Sequence, residues 1–88
     1  MRAVVTVTGT DRCGIIAKVS GFLFERGVNI EDISQTVLGD QFAMIMLTGI
    51  PENCDFLSLK EGLEAYGAEI GMTVRIQHAD LFDAMHNV

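Results

Sequence analysis

GTDRCGIIAKVSGFLFERGVNI, residues 9–30, decides how this chain folds. Within it Ile15, Ile16, Val19, Phe22 and Leu23 recur at helical spacing, so one stripe of a helix running from Gly14 to Arg26 packs on a sheet. Small residues Ala17, Ser20 and Gly21 lie beside the stripe and allow close approach to neighbouring backbone. Gly27 supplies the left-handed residue on which such helices end. GTDRCG (9–14) is the loop in front, and Asp11 is the expected N-cap of a helix beginning near Cys13 or Gly14.

Reading outward, AVVTVT (3–8) is a β-branched strand with Val5 and Val7 on one face and Val4, Thr6 and Thr8 on the other. NIEDISQTVL (29–38) is a second strand with a defect: Ile33, Gln35 and Val37 share a phase that Ile30 does not. A bulge or bend near Glu31 and Asp32 would put Ile30 and Ile33 on the same side. Gly39-Asp40 is a hairpin turn leading into QFAMIMLTGI (41–50). Along that strand Phe42, Met44 and Met46 alternate with Ala43, Ile45 and Leu47, so both faces are apolar and both need cover.

Pro51 stops the third strand, and Asn53 or Asp55 caps a second helix that runs to about Ile70 with Phe56, Leu59, Leu63 and Tyr66 inward. After Gly71, MTVRIQ (72–77) is the fourth strand, with Met72, Val74 and Ile76 inward. Leu81, Phe82 and Met85 give the tail a short helix over 79–86. The order β-α-β-β-α-β predicts an α+β, ferredoxin-like domain spanning 1–88 with its core over about 1–77. Right-handed crossovers place both helices on one face of a four-stranded antiparallel sheet, leaving the other face to a partner subunit or a ligand.

Composition narrows the function. The 88 residues allow one core, and 49 % apolar content is high for so small a domain, which predicts an oligomer. Twelve acidic residues against six basic ones give a charge of −6, which repels nucleic acid and anionic membrane surfaces alike. Cys13 and Cys54 lack any metal-ligand spacing, and His78 and His86 form no HxxH, so neither metal nor cofactor is expected. Without a signal peptide or an apolar run near the ~20 residues of a membrane span, the expected location is the cytoplasm. No histidine stands beside Cys13 in sequence, which weighs against a reactive thiol. Ser34-Gln35-Thr36 is polar inside an apolar sheet, and either lines a pocket or meets its own copy across a two-fold axis.

Asp11-Arg12-Cys13-Gly14-Ile15, the helix after it and Gly27-Val28-Asn29-Ile30 resemble the opening of an ACT domain, a small regulatory module of enzymes of amino-acid metabolism. The element order extends the resemblance over residues 1 to about 77. DISQTVL (32–38) and FDAMHNV (82–88) resemble stand-alone ACT proteins of unassigned role, and the chain is more distantly similar to the glycine-cleavage transcriptional repressor. The resemblance implies domains that pair, often edge to edge, and bind amino acids at the interface. The ligand then sits against the loop after strand one and the start of strand two. Carried over residue by residue, that site falls on Asp11, Gly14 and Asn29, with the Ile15 backbone N–H, while Arg12, Cys13 and Ile30 complete the contact set. Cys13 departs from the proline of many members and leaves that backbone freer.

Elementary chemistry reads the same residues in the same direction. A glycine-containing loop that opens a helix presents free N–H groups at the positive end of the helix dipole, which suits a carboxylate. Gly14 lets a ligand approach the backbone, Asp11 can accept from an ammonium group, and Asn29 can donate and accept. Together they suit a zwitterion; alternatively, Asp11 caps, Gly14 packs and Asn29 satisfies a turn. Acylphosphatases share the element order and Arg12 lies in the corresponding loop, but their GxVQGVxxR-type signature and any base–nucleophile pair are missing. RNA-recognition modules need exposed sheet aromatics in a basic surround. The expectation is therefore a homodimeric regulatory domain, not an enzyme, that senses an amino-acid-like molecule and acts on another protein in trans. Its rival is a protein-interaction module with no metabolite.

Overall fold

Alternation along the third strand organises the fold. In a computed structural model describing residues 1–80, β1 (Arg2–Thr10), α1 (Ile15–Glu25), β2 (Asn29–Leu38), β3 (Gln41–Gly49), α2 (Phe56–Glu69) and β4 (Thr73–His78) follow in order. The strands form one antiparallel sheet in the order β2-β3-β1-β4. Phe42, Met44, Met46 and Thr48 of β3 are buried, whereas Ala43 and Ile45 are exposed. Across the ladder Met46 meets Val5 and Met44 meets Val7, and on the far side of β1 these meet Ile76 and Val74. Ile15, Val19 and Leu23 of α1 and Leu59 and Leu63 of α2 close this layer into one core. Thr48 is fully buried, and its hydroxyl donates to the Ala3 carbonyl at 2.9 Å, so this buried polar group is paired.

Both helices end alike. Val28 and Gly27 N–H donate back to the carbonyls of Leu23 and Phe24, each at 3.0 Å. Met72 and Gly71 N–H do the same to Gly67 and Ala68, at 2.8 and 3.2 Å. Each pair satisfies carbonyls that a helix end leaves orphaned. Gly67 also brings α2 down onto β4, because a Cβ there would collide with Val74.

The bulge falls where the sequence phase requires it. Pairing steps from Ile30 opposite Thr48 to Asp32 opposite Leu47, so Glu31 is the extra residue and both Ile30 and Ile33 face the helices. The Asp32 carboxylate accepts from the Ile33 N–H at 2.9 Å, and Glu31 reaches Arg2 Nε at 3.1 Å, which hold the kink.

Two expectations change. The first strand continues past Thr8, because Gly9 and Thr10 pair with Phe42 and Gln41, and the following loop shrinks to residues 11–14. Asp11 is not the cap of α1: the capping position is Gly14, at φ 84° and ψ 8°, with no side-chain hydrogen bond. The Asp11 N–H instead donates 2.7 Å to the carbonyl of Asp40 in the β2–β3 turn. Tyr66 is half-buried between the helices, its ring 5.0 Å from that of Phe22. The tail helix expected over 79–86 lies, from residue 81 onward, outside the described residues.

Candidate functional site

The start of α1 is open. Its first helical hydrogen bond runs from the Lys18 N–H to the Gly14 carbonyl at 2.9 Å, so the N–H groups of Ile15, Ile16 and Ala17 have no partner one turn back. Beside them lies a cleft of about 290 Å³. Asp11, Arg12 and Gly14 form one wall, Ile15, Ile16 and Ala17 of α1 the next, and Gln35, Val37 and Phe42 the sheet side. A Cβ at Gly14 would meet nothing within 4 Å, so the backbone there stands bare to whatever enters.

Each expected site residue has a definite place. Asp11 is held by its backbone bond to the β2–β3 turn and lines the cleft. Arg12 lines it too, but its guanidinium lies over Gly71, with Cζ 3.2 Å from where a Cβ of that glycine would stand. That position is just past the C-terminal end of α2, where the helix dipole favours a cation. Cys13 is an exposed free thiol outside the cleft lining. The Ile15 side chain is buried in the core, which leaves only its N–H to the cleft.

Asn29 and Ile30 are elsewhere. Asn29 pairs with Gly49, which pairs with Arg2; the loop follows Thr10, which pairs with Gln41 and through it with Leu38. The two ends are eight residues of β1 apart, about 26 Å at the usual rise per strand residue. One chain thus gathers Asp11, Arg12, Gly14 and Ile15 at the cleft, leaves Cys13 outside its lining, and holds Asn29 and Ile30 at the opposite end of β2. The cleft also enlists residues the sequence reading did not assign to it: Ile16, Ala17, Gln35, Val37 and Phe42. A signal existed for two of them, since Gln35 and Val37 share the phase of Ile33 and so face the helices.

Among the described residues β2 is also a free edge of the sheet, exposed along nearly its whole length. On its helix side Ile33 and Val37 are 40 % and 49 % exposed, and Ile16 of α1 adds to the same apolar strip.

Against known proteins, a family model described as ACT domain matches residues 2–77. The chain belongs to the ACT domain family. A UPF0237 protein of Methanopyrus kandleri is 52 % identical over 88 residues, covering 99 % of this chain and 98 % of its own. The solved ACT domain protein from Streptococcus pneumoniae shares 43 % identity with a TM-score of 0.84 over 94 % of each chain. The regulatory subunit of aspartate kinase from Thermus thermophilus matches at 30 % identity and a TM-score of 0.66, over 86 % of this chain and 50 % of that one. ACT domains are regulatory and often bind amino acids, whereas the UPF0237 relatives carry no assigned role. No helix of the described residues is long and apolar enough to cross a membrane.

Proposed function

We propose that this ACT domain is a cytoplasmic amino-acid sensor whose binding site is completed by a second copy of the chain, and that it regulates another protein in trans. The observation that carries the reading is the separation of the 11–15 loop from Asn29 along a free edge strand. An antiparallel pairing of β2 with its own copy, with Ser34 opposite Ser34 and Glu31 left as the extra residue of the bulge, sets Asn29 of the second copy opposite Leu38, beside the loop. The pairing covers the exposed Ile16, Ile33 and Val37, and it places Ser34-Gln35-Thr36 against the two-fold axis.

In that arrangement the ligand carboxylate accepts from the free N–H groups at the start of α1. Asp11 faces the ammonium group, Asn29 of the second copy supplies a donor and an acceptor, and Ile16, Val37 and Phe42 offer an apolar side to the ligand's own side chain. Ligand bound across the interface favours one arrangement of the pair by its difference in affinity for the two, and a partner protein reads that difference. A second reading rests on the open face of the sheet, where Ile45 is exposed and Leu47 half-buried: a protein-interaction module with no metabolite.

A thermal-shift screen against the twenty amino acids tests both. The expected result is a selective rise in Tm of about 10–20 °C at a hundredfold excess over Kd, lost in Asp11→Ala and in Asn29→Ala. Mixing the two variants sharpens the test. A mixed dimer has one site lacking both groups and one intact site, so binding returns to up to half the sites. A flat screen favours the interaction module. Ligand binding without recovery on mixing overturns the shared site.

A further inference from the structure

We propose that the outer edge of β4, with the groove between β4 and α2, docks an extended segment of a partner protein that adds to the sheet as a strand and alternates apolar and acidic residues. The proposal uses the edge opposite to β2 and stands whether or not the site above binds an amino acid.

The backbone supplies the first reason. β1 pairs with one side of β4 from Thr73 to His78, and the sheet ends there. Alternate residues of β4 therefore turn their N–H and C=O outward, and no described strand meets them. The ladder runs without a bulge and the strand contains no proline, so this edge is a straight template. β2, by contrast, is interrupted at Glu31.

The side chains supply the second. A groove of about 310 Å³ runs beside the edge, with Phe56 and Ile76 among its walls and the Phe56 ring stacked on His78 at 4.3 Å. Lys60 and Arg75 bring positive charge to it. Lys60 is matched by Glu64 at 2.9 Å, whereas Arg75 has no carboxylate within ion-pair distance among the described residues. In a chain of net charge −6, an arginine left unmatched among the described residues, on an edge that no described strand covers, favours an acidic guest over a second copy of the same acidic chain. The pleat sets the pattern. Ile76 lies opposite Val5 on the helix side, and Arg75 opposite Thr6 on the open side. An added strand thus turns apolar residues toward Phe56 and acidic ones toward Arg75.

An acetylated, amidated peptide of alternating valine and glutamate, labelled with fluorescein, tests this on the intact protein. It should bind, with amide chemical-shift changes centred on Thr73–His78. Replacing its glutamates by lysine should abolish binding, and Arg75→Glu should weaken it about five- to tenfold. Methylating alternate backbone nitrogens of the peptide should abolish binding in one phase and spare it in the other, which probes the strand ladder without altering the protein. Absence of binding at about 1 mM peptide overturns the proposal. So does binding indifferent to backbone methylation, or shift changes confined to β2.

Discussion

The two helices begin in opposite ways. The Asp55 side chain caps α2, accepting from the Leu57 N–H at 3.2 Å and from the Ser58 hydroxyl at 2.8 Å. No side chain caps α1, whose capping position is a glycine in the left-handed region beside an open cleft. The same pair of Schellman bonds closes both helices, so the difference is confined to their starts. Capping by a side chain consumes the donors that an incoming carboxylate would need. α2 spends its N-terminus on stability, whereas α1 leaves its own open.

The comparison breaks first at the glycines. Gly67 has an ordinary helical backbone but no room, since a Cβ there collides with Val74. Gly14 has room but a φ of 84°. Gly67→Ala should lose about 1–3 kcal/mol through overpacking, lowering Tm by about 4–8 °C per kcal/mol in equilibrium melts. Adding Val74→Ala should make the double variant more stable than the sum of the singles implies, because the collision is shared. Gly14→Ala should lose about 1–2 kcal/mol from backbone strain alone, with no such coupling. Gly14→Ser should lose about as much, although serine is a strong N-cap, because capping geometry needs an extended φ that this position lacks. A stabilised Gly14→Ser would show that the open start of α1 is an unfilled cap and not a site.

Much of this was legible in the sequence for particular reasons. The apolar run from Phe42 to Leu47 marks β3 but, being apolar on both faces, does not say which faces the core, and the structure leaves Ala43 and Ile45 exposed. The phase break between Ile30 and Ile33 marks the bulge, because a period of two admits no other way to keep both residues on one side. Of the two caps the sequence offers, Asn53 and Asp55, the structure uses Asp55, which stands directly before its helix. Asp11 misleads for the converse reason: two residues separate it from Gly14, and the left-handed turn at that glycine swings the chain out of capping reach. Gly9 and Thr10 look like loop, yet Phe42 and Gln41 hold them in the ladder, which is a tertiary fact. The site shows the same division. Its loop is a local motif, whereas the distance to Asn29 is set by strand register, and nothing local to either segment records it.

The smallest expected effect discriminates most finely between the two starts. Asp55→Ala removes the acceptor for the Leu57 N–H and leaves the Ser58 hydroxyl without its partner, at a cost of about 1 kcal/mol, read as a shift in the denaturation midpoint at constant m. Asp55→Ser should retain most of that stability, since a hydroxyl accepts from the same N–H. Neither change touches the cleft at α1, so any amino-acid-dependent rise in Tm should persist in full on the lower baseline. Asp11→Ala should behave in reverse. Its side chain caps nothing, so stability should move by no more than about 0.5 kcal/mol while the ligand response disappears. If Asp11→Ala instead destabilises the protein as much as Asp55→Ala does, the aspartate is a structural support of the loop, and the division between the two helix starts fails at its most specific point.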